Sequence, residues 1–340
     1  MSTLRRDPVT ARWVTNTDET EEGITTKDEL ERLASQGICP FCEGNEKYTP
    51  DEIYAIRRKE TKKNEPGWEV RVIPNVSPAL RLDLEVERRP ELMYDMMNSV
   101  GADEIVIETP KHIANTADLE PSQISKVLTV YKNRIKDLKD DKRFRSLIIF
   151  KNYGERTAPT SLKHACSEVM ALSFTPKNLK EELDGAKDYY DYKSRCIFCD
   201  IIRQELNTQK RVVSQNDKFI AITPFASRFS HEIWILPKEH SADFETLDES
   251  SIQNLGTFLK EILTRIKVLL YDPPYNYMFH LGPNKNARPD FWKTVDEDYH
   301  WHIEIMPLFT KTGGFEWGSG YYINEITPET AAKQLREAEI

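Results

Sequence analysis

The chain has 340 residues, 39% hydrophobic and 30% charged, which is enough to bury a substantial core or two ordinary domains. A net charge of −9 and a pI near 5.5 argue against affinity for a general phosphate backbone, so no nucleic-acid partner is expected, although a local basic pocket for a nucleotide is compatible with them. No run approaches the roughly 18 apolar residues of a membrane span, and the N-terminal residues lack the apolar stretch of a signal peptide, so a soluble cytoplasmic protein without a membrane partner is expected.

In chain order, an acidic segment from Asp18 to Glu31 reads as peripheral and is followed by a knuckle, Cys39-Pro-Phe-Cys42. A strand pattern spans Val70 to Asn75, and a β-rich run from Glu104 closes on His112. Apolar residues three and four apart predict a helix over Ile124–Leu138, ahead of a strand, Leu147–Phe150, and the segment His164-Ala-Cys-Ser-Glu168. The charged stretch from Lys177 to Lys193 reads as a link. The same order then recurs: Cys196-Ile-Phe-Cys199, a strand over Phe219–Pro224, Glu232 running to His240, a helix over Ile252–Leu270, a strand at Tyr277–Phe279, and His300-Trp-His-Ile-Glu304. A closing helix is predicted over Pro328–Glu337. These features predict a duplicated α+β protein with antiparallel sheets and packed helices, divided into residues 1–176, a linker at 177–195, and residues 196–340.

Four of the five cysteines lie in the two C-x-x-C pairs. Such a pair supplies two thiolates from one tight turn, and distant histidines can complete a tetrahedral zinc site. The repeat therefore predicts two structural sites, Cys39/Cys42/His112/His164 and Cys196/Cys199/His240/His300. Four protein ligands leave no position for water, so the metal would fasten segments together rather than activate a nucleophile. At the second site, His280, His300 and His302 form a competing ligand set. Buried thiols and ordinarily hydrogen-bonded histidines are the bland alternative, and a free cysteine such as Cys166 most often simply fills a strand.

Several segments then support a family. Leu4-Arg-Arg-Asp-Pro-Val-Thr10, Cys39-Pro-Phe-Cys-Glu-Gly-Asn45, Trp68-Glu-Val-Arg-Val-Ile-Pro-Asn75, Glu108-Thr-Pro-Lys-His112 and Phe150-Lys-Asn152 resemble the galactose-1-phosphate uridylyltransferase branch of the histidine-triad superfamily. Ile235-Leu-Pro-Lys-Glu-His240, Asp272-Pro-Pro-Tyr-Asn-Tyr277 and the Gly-rich run from Gly313 to Asn324 resemble especially the plant ADP-glucose phosphorylases of that branch. The resemblance implies a dimeric, zinc-containing nucleotidyltransferase acting on a nucleotide sugar and a sugar 1-phosphate, like a UDP-glucose:hexose-1-phosphate uridylyltransferase. An adenylyltransferase or phosphorylase using ADP-glucose or adenylylsulfate with phosphate is the alternative, and iron is an alternative metal at the second site. It carries over Asn75, Asn152, Arg156 and Ser161 as nucleotide or phosphate contacts, and Phe315 and Glu316 as sugar-phosphate contacts.

The family's motif is His-x-His-x-Gln, in which the second histidine attacks the α-phosphorus and gives ping-pong kinetics. Here the matching residues are His164, Cys166 and Glu168, so cysteine occupies the nucleophile position and glutamate the glutamine position. A nucleophilic Cys166 would need a lowered pKa, and Glu168 works against that. Two further departures are an acidic Asp18–Glu22 where the family is Arg-rich, and a loop after Gly154 that contains Pro159, which has no amide donor. A transferase using Cys166 covalently, one using direct attack, and a non-catalytic nucleotide- or protein-binding homologue are the three resulting expectations.

Overall fold

The computed structural model describes residues 2–16, 27–154, 162–308 and 313–340. Strands β1 (Thr3–Arg6), β2 (Trp13–Asn16), β5 (Arg88–Glu91) and β6 (Tyr94–Asn98) form a small sheet in the order β2-β1-β6-β5. The other ten build one continuous antiparallel sheet. In the first half these are β3 (Tyr54–Arg57), β4 (Trp68–Pro74), β7 (Gly101–Ile107), β8 (Ser146–Tyr153) and β9 (Cys166–Leu172). In the second half they are β10 (Val212–Gln215), β11 (Phe219–Ile222), β12 (Ile233–Pro237), β13 (Tyr275–His280) and β14 (His302–Pro307). Their order, β10-β11-β12-β14-β13-β8-β9-β7-β4-β3, reads the same from either end once the halves are exchanged. The centre is the β13–β8 pairing, where Lys151 faces Tyr277 and Asn152 faces Asn276.

The α-helices among the described residues are α1 (Lys27–Ser35), α2 (Pro121–Lys139), α3 (Lys177–Lys193), α4 (Ile197–Thr208), α5 (Glu249–Leu269), α6 (Val295–Asp298), α7 (Gly314–Ser319) and α8 (Pro328–Glu337). Pro121 opens α2, where its missing N–H costs nothing, and the Asp248 carboxylate caps α5 by accepting from the Ser251 amide at 2.7 Å. The two predicted long helices are α2 and α5. Each turns its apolar stripe onto the same face of the sheet, with Ile124, Leu128, Tyr131 and Ile135 from one and Leu255, Phe258, Ile262 and Ile266 from the other buried in a single cluster. Full burial of each such side chain stabilises by about 1.5–3 kcal/mol relative to exposure. The helices meet closely at Gly256, where a Cβ would lie 2.3 Å from the Ser125 hydroxyl.

Strand alternation sends the remaining side chains to the opposite face, which differs between the halves. In the second half it is covered by α3 and α4, whose Leu179, Leu183, Phe198 and Ile202 pack on Ile220, Ile222 and Leu236. The stretch from Lys177 to Lys193 is thus a packed helix. In the first half, Leu30, Phe41, Trp68, Ile73, Ile105, Ile107 and Leu162 make a smaller cluster beside an open cavity. Part of the acidic segment read as peripheral, Lys27–Glu31, belongs to α1, and burial of Leu30 and Leu33 draws that helix onto the sheet. Residues 18–26 lie outside the described residues.

Candidate functional site

The first knuckle is a turn in which the Cys42 amide donates to the Cys39 carbonyl at 3.2 Å, and Gly44 takes φ +93°, where a side chain would be strained. Asn45 Nδ2 donates to the Cys39 carbonyl at 2.8 Å, and the buried Glu46 carboxylate accepts from Trp68 Nε1 at 2.7 Å. This presents both sulfurs to two histidines: Cys39 Sγ lies 3.5 Å from His164 Nδ1, and Cys42 Sγ lies 3.4 Å from His112 Nδ1 and 3.7 Å from His164 Nδ1. His164 Nε2 donates to the Thr109 carbonyl at 2.8 Å, which fixes the ring so that Nδ1 faces the sulfurs. Burial holds this imidazole near a pKa of about 4, hence neutral, the form that ligates a metal.

The second group repeats the arrangement. Cys196 precedes α4 and Cys199 sits in its first turn, 3.3 Å from His240 Nδ1 and 3.7 Å from His300 Nδ1. The rings donate from Nε2 to the carbonyls of Asp296 and Pro237, at 2.8 and 2.9 Å. A hydrogen bond from Cys196, with help from both imidazoles, lowers Cys199 to about 3, and the same shared proton raises Cys196. Zinc bond lengths of about 2.3 Å to sulfur and about 2.05 Å to nitrogen at tetrahedral angles place donors about 3.5 Å apart. Both sets, with all donor atoms within 4.8 Å of one another, fit such an ion.

Beside the first group lies a cavity of about 850 Å³. Its wall includes Asn75 at the end of β4, Asp103 and Ile105 on β7, Asn152 on β8, and Cys166, Glu168 and Met170 on β9. The sequence-predicted residues Asn75, Asn152, Cys166 and Glu168 are therefore brought together. Asn75 Nδ2 donates to Asp103 Oδ1 at 2.9 Å, and the other oxygen of that carboxylate accepts from the Ala79 amide at 3.0 Å. Burial pushes the Cys166 thiol up to about 12. Burial and the Asp103 carboxylate push Glu168 up to about 7.

Beneath the wall, Lys151 and Glu108 form a buried ion pair at 2.9 Å, and Lys151 Nζ also donates to the Cys166 carbonyl at 3.0 Å. Thr116 Oγ1 and Tyr277 OH donate to Glu108 at 2.7 and 3.4 Å. Tyr277 comes from the second half, so the support of β9 crosses the central seam.

The second-half counterparts of Cys166 and Glu168 are His302 and Glu304, and these are enclosed. Glu182 of α3 reaches His280 Nδ1 at 2.6 Å and His302 Nε2 at 3.7 Å, while Glu304 pairs with His280 Nε2 at 3.2 Å and with Arg228 at 2.5 Å. Burial alone would lower His280, but the Glu182 and Glu304 carboxylates raise it to about 10. His280 and His302 stack at 4.6 Å between ring centroids and belong with Glu182, apart from the two cysteines. His300 is the histidine that meets the cysteines.

A model of the galactose-1-phosphate uridyl transferase N-terminal domain matches residues 6–176, and one of the C-terminal domain matches residues 182–339. The chain belongs to this uridyl transferase family. An ADP-glucose phosphorylase from Arabidopsis thaliana is 35% identical, covering 99% of this chain and 93% of that protein. A galactose-1-phosphate uridylyltransferase from Thermotoga maritima is 25% identical, over 100% and 99%. Among solved structures, the Arabidopsis thaliana ADP-glucose phosphorylase with bound ADP-glucose superposes with a TM-score of 0.78 at 34% identity over 100% of both chains. A uridylyltransferase superposes at 0.81 with 25% identity, over 99% and 98%.

Membership of the uridyl transferase family makes this protein a nucleotidyltransferase. Not every expected site residue meets at the cavity. Arg156 and Ser161 lie outside the described residues. Phe315 and Glu316 are in α7, away from the cavity wall: the Phe315 ring packs on Tyr321, and the Glu316 carboxylate accepts from the Gly313 amide at 2.9 Å. Sequence reasoning missed Asp103, Lys151, Glu108 and Glu182. Lys151 lay inside the quoted Phe150-Lys-Asn152, and the Leu179/Leu183/Ala186 spacing of a packed helix was the available signal for Glu182. Among the described residues, no helix is long and apolar enough to cross a membrane.

Proposed function

We propose that this protein transfers the nucleotidyl group of an ADP-hexose to inorganic phosphate, in the cavity of the first half. The observation that carries the reading is the common wall formed by Asn75, Asn152, Cys166 and Glu168 around a space of about 850 Å³, a size suited to a nucleotide. Likeness over the full chain to an ADP-glucose phosphorylase favours adenine and phosphate over uridine and a hexose phosphate. In the reaction, an oxygen of phosphate forms a bond to the α-phosphorus while the bond to the hexose 1-phosphate oxygen breaks, giving ADP and the hexose 1-phosphate. Positioning and charge neutralisation supply most of the catalysis in such a transfer.

A second route shares the cavity: Cys166 sulfur attacks first, a sulfur–phosphorus bond forms, and phosphate then displaces the sulfur. The raised thiol favours direct attack. Zinc at Cys39/Cys42/His112/His164 and at Cys196/Cys199/His240/His300 is proposed as scaffolding in both routes, His164 linking the first site to Cys166 two residues on. A cytoplasmic homodimer completes the proposal; the exposed Phe315, Trp317 and Tyr321 are apolar surface that a second copy would cover.

The test is a panel of ADP-glucose with phosphate and UDP-glucose with galactose 1-phosphate, with products separated by chromatography. ADP and glucose 1-phosphate are the expected products. Activity with the uridine pair alone would overturn the adenine assignment, and binding without turnover across the panel would support the non-catalytic homologue. Mass spectrometry of the Cys166 peptide decides the route, since a nucleotidyl adduct lost in Cys166→Ala together with turnover would establish the covalent one.

A further inference from the structure

We infer that Glu168 acts as a neutral carboxylic acid whose hydroxyl donates a hydrogen bond to a phosphate oxygen of the bound nucleotide. This rests on the nucleotidyl-transfer reading and gives the residue at the family's glutamine position a donor like that of an amide.

Three features of the site support it. Asp103 faces Met170 and Ile105 faces Glu168 across β7 and β9, so the Asp103 and Glu168 carboxyl groups are diagonal neighbours on the cavity face. Burial raises Asp103 as well, but both of its oxygens already accept, from Asn75 Nδ2 and the Ala79 amide, and these donors favour the anion there. Two adjacent carboxylates in a partly dry wall cannot both ionise readily, and the proton goes to the one without donors.

Second, no ion pair reaches Glu168 among the described residues. On its own strand the titratable neighbour is Cys166. Ahead of that strand come Lys163, which lines the cavity, and His164, which is turned to Thr109 and the sulfurs. Lys151 of β8 is directed at Glu108, and on the other face Arg134 of α2 holds Glu104 through two hydrogen bonds.

Third, the duplicated counterpart provides an internal contrast. Glu304 occupies the equivalent place and has both Arg228 and His280 against it. It is held low, although burial opposes this, whereas Glu168 is raised to about 7 by burial and by Asp103. The same position in the repeat thus carries an anion in one half and an acid in the other.

A raised carboxyl is neutral below its pKa and anionic above it, so donation is present at acid pH and lost as the pH rises through about 7. The diphosphate of ADP-glucose does not titrate in this range. Calorimetry with wild type should show affinity for ADP-glucose falling about tenfold or more between about pH 6 and about pH 8.5, as loss of a hydrogen bond to a charged group implies. Glu168→Gln should hold one affinity across that range, Glu168→Ala should be weak throughout, and adenosine, which has no phosphate, should show no pH dependence with any variant. Independently, the infrared difference between ligand-free wild type and Glu168→Gln should contain a neutral-carboxyl band at the lower pH that disappears at the higher.

A missing band at the lower pH, or a Glu168→Gln slope matching wild type, overturns the inference. If the band is present but ADP-glucose binds at neither pH, the nucleotide reading fails and takes the donor role with it.

Discussion

Replacing Lys151 with methionine keeps an apolar stem of similar length but removes an ammonium group from a position where it is 1% exposed and its partner Glu108 is 0% exposed. Removing one member of a buried pair costs about 3–5 kcal/mol, because the remaining charge is left uncompensated. Two neutral donors, Thr116 Oγ1 and Tyr277 OH, still reach Glu108 and offset part of this, which puts the expected cost at the lower end, about 3 kcal/mol. With an unfolding entropy of about 2.1 cal/mol/K per residue over 340 residues, the midpoint should fall by about 4 °C. Adding Glu108→Gln removes the orphaned charge, and its carbonyl oxygen can accept from Thr116 Oγ1 while its amide N–H donates to the Tyr277 hydroxyl. The double variant should therefore recover to within about 1 kcal/mol of wild type, as a coupled pair requires. Scanning calorimetry and urea unfolding of the two singles and the double measure this. A Lys151→Met melting point within about 1 °C of wild type, or a double variant no better than that single, would refute the argument.

Two further expectations concern the metal and pH. The native chain should release about two equivalents of zinc to a chromogenic chelator under denaturing conditions, and His164→Ala or His240→Ala about one, each with a lowered melting point; one equivalent from the native chain would remove one of the sites. His280 has a folded pKa of about 10 against 6.5 for a free imidazole, so its contribution is fully present below about pH 6.5 and lost as pH rises towards 10. The stability gap between wild type and His280→Gln should accordingly shrink between pH 6.5 and pH 10 in thermal melts, and a gap that widens would refute the assigned charge.

Periodicity located the elements whose side chains satisfy it locally. The apolar spacing in α2 and α5 was legible because one face of each is buried, the closing helix α8 was read over Pro328–Glu337, and the duplicated order of knuckle, strand, helix and histidine segment pointed to two related halves with antiparallel strands. The two Cys/His groups that could hold a metal were legible because cysteine pairs carry their geometry in a short turn. Long-range partnership was harder to read. Nothing near Glu182 in sequence announces His280, 98 residues away, nor does anything near Lys151 announce Glu108, since such pairs are chosen by strand order and register. The competition among His280, His300 and His302 could be resolved only by strand phase. His302 lies in β14 and turns to Glu182, while His300, just before the strand, points its Nδ1 at Cys199.

The sealed second copy of the His-x-x-x-Glu segment has a consequence for stoichiometry. α3 lies over it and Glu182 occupies the space in front of its histidines, so among the described residues the second copy is closed where the first opens onto the cavity. Titration should saturate at about one nucleotide per chain, and substitutions at His302 or Glu304 should register in the melting curve before they register in affinity. Among the described residues, duplication has doubled the framework while the nucleotide-sized cavity lies against its first copy.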